Sequence, residues 1–207
     1  MYSILIAAGW PVWPLLITSI IALAILIERS WFLQAKRITP KHVTEGAIQL
    51  AHSGALKQVK STEEASQTLA DAAPIGKILA AALLAYAQGQ SQEKIIEAMQ
   101  EAAEEVTVLL ERYLGALATI ATVAPLLGLF GTVVGMIEIF ASQQGASTNP
   151  QQLAHGISIA LYNTAFGLLI AIPAYIGWRA LKATAEKRQR ECNVAAKKLL
   201  QELNSLR

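Results

Sequence analysis

Ala124-Pro125-Leu126-Leu127-Gly128-Leu129-Phe130-Gly131-Thr132-Val133-Val134-Gly135 lies in an apolar run from about Leu114 to Ala141, whose one charge is Glu138 near its far end. The run exceeds the roughly 20 residues that cross a bilayer as a helix. Proline and glycine are tolerated in such a helix where neighbours satisfy the freed backbone groups. Gly131 and Gly135 form a small-xxx-small pair with Gly128 one turn earlier, a pattern that admits a second backbone at close range. The stretch reads as a membrane helix forming the wall of an assembly, with Thr132 facing something polar.

Two further runs share this character. One extends from about Trp10 to Phe32, with Trp10 and Trp13 at its start and Trp31 at its end, as interfacial aromatics stand. The other extends from Gly156 to Trp178. With 54% apolar and 15% charged residues, the chain is more apolar than soluble domains. The fold expected is an all-α membrane protein with three spans, the second and third long and extending into a helical cytoplasmic domain. A net charge of +2 gives no argument for nucleic acid. One cysteine and three scattered histidines provide neither a disulfide framework nor metal-ligand spacing. With no phosphate loop or catalytic motif either, the expectation is a non-enzyme without cofactor or metal.

Charge placement sets the topology. No Lys or Arg precedes the first span, whereas Arg29, Lys36, Arg37 and Lys41 follow it. The positive-inside rule predicts an outer segment (1–9), a first span (10–33), a cytoplasmic helical domain (34–113), a second span (114–141), an outer turn (142–155), a third span (156–178) and a cytoplasmic tail (179–207). Within the cytoplasmic domain, helices are expected from Lys41 to Gly54, from Pro74 to about Gly89, and from an N-cap at Ser91. The last has an acidic face of Glu97, Glu101, Glu104, Glu105 and Glu111. Without a breaker before the second span, one helix of about 50 residues, roughly 75 Å long, is expected. The tail holds eight Lys and Arg against three Glu. It can pair with the acidic face, or both can stay solvated.

The second and third spans, joined by a short turn centred near Thr148, must lie antiparallel. Thr132 and Thr164 are each sixteen residues from that centre, which places their hydroxyls at one depth. Pro125 and Pro173 are likewise almost matched, one turn or two deeper, which suggests paired kinks at one level. Hydroxyls both donate and accept, so they can line a proton path, although such a group often bonds only its own helix. Asn163 and Glu138 are lesser candidates. Glu138 lies six residues nearer the outside than Thr132 and reads mainly as a mouth residue.

These residues resemble the MotA/TolQ/ExbB proton channel family. The resemblance rests on Ala124-Pro125, Gly128 to Val133 and Gly135 in the second span. In the third span it rests on Gly156-Ile157, Ala160-Leu161, Thr164-Ala165, Gly167-Leu168 and Ala171 to Ala174. Three spans favour ExbB or TolQ over the flagellar stator MotA. The resemblance implies a homopentamer in the bacterial inner membrane, enclosing an ExbD-type single-span partner that carries the protonatable aspartate. A TonB-type protein would receive the energy. Thr132 and Thr164 would line the pore, and Pro125, Gly128, Gly131, Gly135 and Pro173 would serve subunit packing and kinks. Ile159 stands where ExbB and TolQ place a glutamate, so the proton chemistry would rest on the partner. A TolQ-like role in envelope maintenance, another motor, or a non-conducting scaffold are the alternatives.

Overall fold

A computed structural model of the chain describes residues 10–52, 59–142 and 150–206. The expected outer segment 1–9, the stop at Gly54 and the turn around Thr148 lie outside them. The elements are α1 (Val12–Phe32), α2 (Ala35–Ile38), α3 (Lys41–His52), α4 (Val59–Ala72), α5 (Pro74–Ala87), α6 (Gln92–Glu111), α7 (Leu114–Ser142) and α8 (Pro150–Ser205). No strand occurs among the described residues, and three helices are long and apolar enough to cross a membrane. The chain divides into two compact units, residues 1–28 with 113–180 and residues 29–112 with 181–207.

In the first unit α1, α7 and the first part of α8 meet at a core of Leu15, Ala124 and Ala171, with Leu127, Phe166 and Ile170 packed on it. Leu26 of α1 fills the space that a side chain at Gly177 would need. Their outward faces are apolar: Ile20 is 69% exposed, Leu126 62% and Leu169 66%. Such faces suit hydrocarbon rather than water. Trp10 packs edge-on against Phe130 with ring centroids 6.1 Å apart. Trp10 therefore lies level with the middle of α7 rather than with its end at Ser142.

The second unit is built around α5. Ile75, Ile78, Leu79, Ala82 and Leu83 are buried on several sides of it, as in a helix enclosed by others. Pro74 stands at its first turn, and Gly89 (φ 69°) ends it. The amide of Gly89 donates to Tyr86 and that of Gln90 to Ala85, the paired bonds of a Schellman end. The Ser91 side chain accepts the amide of Lys94 at 3.4 Å, the expected cap on α6. Helix α4 escapes sequence reading because its buried face carries Thr62 and Ser66 rather than a hydrophobic stripe. It reaches α5 closely: the carbonyl oxygen of Leu69 occupies the place of a Cβ on Gly76.

The expected 50-residue helix is broken between α6 and α7. Arg112 leaves helical geometry at ψ 134°, and Tyr113 has φ 65°. A left-handed non-glycine residue costs on the order of 1–2 kcal/mol, so its surroundings must hold it. Neither glycine nor proline marks the spot in the sequence. The carbonyl that the break leaves without its helical partner is taken from far away in sequence. Arg29 is buried and donates from Nη1 to the carbonyl of Leu109 at 3.1 Å, with its guanidinium 4.6 Å from the Phe32 ring centroid. In an unbroken helix that carbonyl would take the amide of residue 113. Arg188 acts alike at the end of α1, donating from Nε to the carbonyl of Leu33 at 3.1 Å and pairing with Glu191 at 2.6 Å. Both cations sit at helix carboxyl ends, where the macrodipole favours them.

The last part of α8 buries Leu181, Ala185, Cys192, Ala196, Leu199 and Leu203. Burial, then the charge of Glu191, push the Cys192 thiol up to about 11, and Arg188 opposes them. Above pH 9 the unfolded thiol ionises while the folded one keeps its proton, so stability falls as pH rises from about 9 to 11. Replacing Cys192 by Ala should remove that component of the alkaline loss, read as the difference between the two proteins' denaturation curves across this range. Gly76→Ala should lower stability by about 1–3 kcal/mol through overpacking. Gly46→Ala in α3, where an added Cβ meets nothing within 4 Å, should raise it by roughly 0.5–1 kcal/mol. Thermal unfolding followed by circular dichroism checks both signs.

Candidate functional site

The site lies on the hairpin of α7 and α8. Its register is set by small residues. A Cβ on Gly128 would lie 2.6 Å from the carbonyl oxygen of Asn163, and one on Gly131 would lie 2.8 Å from the Cβ of Asn163. One on Gly135 would lie 3.1 Å from the Cβ of Ala160. From the other side, a Cβ on Gly167 would lie 2.6 Å from the carbonyl oxygen of Ala124. Backbone therefore lies against backbone for several turns. The glycines expected to serve subunit packing are taken up by the chain's own third span.

This register fixes the depth of the polar groups. With Gly131 opposite Asn163 and Gly135 opposite Ala160, Thr132 is level with Asn163 to within one residue and with Thr164 to within two. The prolines are less well matched. Gly167 faces both Ala124 and Gly128, which offsets Pro173 from the level of Pro125 by three to seven residues, roughly 5–10 Å. Both helices continue through their prolines. Each proline lacks the amide that a carbonyl one turn earlier would use.

Thr132 is half-buried, and its hydroxyl donates to the carbonyl of Leu129 at 2.6 Å. Its proton is thus engaged within its own helix, and its free capacity is that of an acceptor. Thr164 is half-buried, while Asn163 is 2% exposed, with its side chain seated over Gly131. Asn163 is one residue away from Thr164 and so points to another side of the helix. The readable signal was the glycine opposite, which leaves room for an amide between the helices. Glu138 is exposed. The side chain of Ile159 lies outside the described residues, though its backbone belongs to α8.

The sequence profile of the MotA/TolQ/ExbB proton channel family matches residues 70–193, which include all of α7 and the facing part of α8. The chain belongs to this family. It is 33% identical over 187 residues to the biopolymer transport protein exbB1 of Vibrio cholerae, covering 86% of this chain and 78% of that one. An ExbB-like biopolymer transport protein of Synechocystis is 34% identical over 177 residues, 84% of this chain and 67% of the relative. The Tol-Pal system protein TolQ of Haemophilus influenzae is 45% identical over 73 residues, 35% of this chain and 32% of the relative. The chain is accordingly a proton-channel-family subunit with membrane-spanning helices.

The seam makes a direct prediction. Gly131→Ala should push Asn163 away and destabilise the hairpin by about 1–3 kcal/mol. Adding Asn163→Gly should recover much of that loss, because it removes the atom that the new methyl meets. Non-additivity in a double-mutant cycle, measured by unfolding in detergent or bicelles, is the check.

Proposed function

We infer that this protein is an ExbB-type subunit of a bacterial inner-membrane complex that draws on the proton motive force. Its hairpins would form a homopentameric wall around an ExbD-type single-span partner, and the work would pass to a TonB-type protein. The amino terminus would be periplasmic and the carboxyl terminus cytoplasmic, as the basic residues after the first and third spans favour. The chain itself would catalyse no covalent chemistry. One observation carries this reading. At a common depth the hairpin offers a hydroxyl, a buried amide and a second hydroxyl, with no carboxylate among them. Such a wall needs a titrating group from elsewhere.

The geometry of Thr132 suggests how such a wall responds to a partner's acid. A protonated carboxyl is a donor, and Thr132 can accept from it while keeping its bond to Leu129. An ionised carboxylate only accepts, so Thr132 must release Leu129 to serve it. The two protonation states therefore demand different hydroxyl rotamers. A difference of that kind is what coupling of occupancy to position requires. The membrane potential supplies about 2.3 kcal/mol per charge per 100 mV.

The local identity to TolQ favours a second reading, in which the same motor maintains the envelope instead of driving uptake. A scaffold that holds a complex without conducting is the third. Thr132→Ala and Thr164→Val should each abolish proton-driven work while the assembled complex keeps its mass. Flux of protons into liposomes carrying the complex with its single-span partner separates motor from scaffold. Wild-type rates in both variants would remove the threonines from the mechanism.

A further inference from the structure

The second unit segregates its exposed charge in a way that the chain does not use internally. Helix α6 presents Glu97, Glu101 and Glu104 to solvent, and among the described residues none of the three forms an ion pair. Glu105 on that face reaches Lys77 at 3.8 Å. A groove of about 680 Å³ between α3 and the last part of α8 is lined by Lys41, Lys187, Arg190 and Lys198, against Glu45 and Glu191. Glu191 is already engaged by Arg188. The groove is therefore cationic, and Val194 stands in its wall with 69% exposure.

The acidic face and the groove lie on different sides of the unit. The side of α8 that meets α6 carries Gln189, whose Nε2 donates to Thr107 Oγ1 at 2.8 Å, and Asn193 and Ala196 beyond it. Val194 and Lys198 point away, towards α3. Yet the two surfaces share a level. With Gln189 opposite Thr107 and the helices antiparallel, Arg190 lies level with residue 106 and Lys198 with residue 98. Glu97 to Glu104 and Arg190 to Lys198 thus span the same roughly 10–12 Å along the helices.

We propose that the acidic face of α6 docks into the basic groove between α3 and α8 of a second copy of this chain. The contact is heterologous. Because the complementary patches share a level, rotation about an axis parallel to the helices joins them without axial shift. Repeated, that operation closes a ring instead of extending a filament. Complementary charge sets register and excludes like-charged juxtapositions. The exposed Val194 supplies an apolar contact at the centre of the patch. This interface rests on the homo-oligomeric reading above and gives it a specific surface.

The test uses the full-length protein in detergent or nanodiscs, with mass read by light scattering or native mass spectrometry. The pair Glu101→Lys and Glu104→Lys should shift the dissociation midpoint by tenfold or more towards monomer. So should the pair Lys187→Glu and Arg190→Glu. All four together should restore the wild-type mass, since the charges are then exchanged across the contact. Helicity should be unchanged throughout, as these side chains are exposed or line an open groove. Glu101→Cys with Val194→Cys should give disulfide-linked dimers and higher ladders on oxidation. Intact oligomers in both reversed pairs, or no rescue in the fourfold variant, would overturn the interface while leaving oligomerisation itself standing. A wild-type protein that stays monomeric would overturn both. Should Lys187→Glu with Arg190→Glu abolish binding to phosphatidylglycerol vesicles but leave the oligomer intact, the groove is a headgroup site and the proposal fails.

Discussion

The close approach of two membrane helices along a line of missing side chains governs most of what the first unit can do. In hydrocarbon, helices gain nothing by hiding apolar surface from water, so association depends on contact and shape. Glycine at 128, 131 and 135 of one helix, and at 167 of the other, brings backbone to backbone where larger residues would hold the axes apart. The same feature fixes register. A slide by one residue would drive Asn163 off Gly131 and put side chains where only a bare backbone fits. Depth in the bilayer, which a hydroxyl or amide needs in order to meet a partner, is thus inherited from packing.

The second unit solves a different problem with polar groups. Two helices end inside it, and each end leaves carbonyls that the helix cannot satisfy. Arginines close one carbonyl at each end, Arg29 at Leu109 and Arg188 at Leu33. A buried guanidinium is costly unless hydrogen-bonded, and a carbonyl at a helix carboxyl end meets that need and offers a favourable dipole. The break at Arg112 and Tyr113 and the burial of Arg29 are then two halves of one arrangement. The positive charge in the last turn of α1 thus also holds the end of a neighbouring helix.

What could be read from sequence follows from which forces are local. Long apolar runs, the Pro74 start, the Gly89 stop and the Ser91 cap act through neighbours in the chain, and each appears where its residues place it. The depth of Thr132 relative to the third span was also legible, because rise per residue is constant and the turn is short. Helix α4 was not, since it buries hydroxyls and lends a backbone carbonyl to Gly76 in place of an apolar stripe. Nor was the end of α6, where the carbonyl of Leu109 is taken by Arg29, eighty residues earlier. The hidden importance of Asn163 had the same origin: its place depends on a glycine in another helix.

A neutral wall has a consequence for the proposed motor. Hydroxyls and amides keep their charge state across physiological pH, so the hairpin presents one unchanging surface to whatever it encloses. An acid in the wall would titrate with its surroundings and compete with the partner's acid for the same proton, and two such groups would share coupled steps. With Ile159 where the family resemblance places that acid, and with Glu138 exposed, the proposed cycle has one titrating group. Its protonation then decides whether Thr132 accepts or must turn away from Leu129. The simplicity carries a demand. All of the free energy must pass through geometry at that level, which only a hairpin with fixed register can hold, and the glycine seam supplies that register.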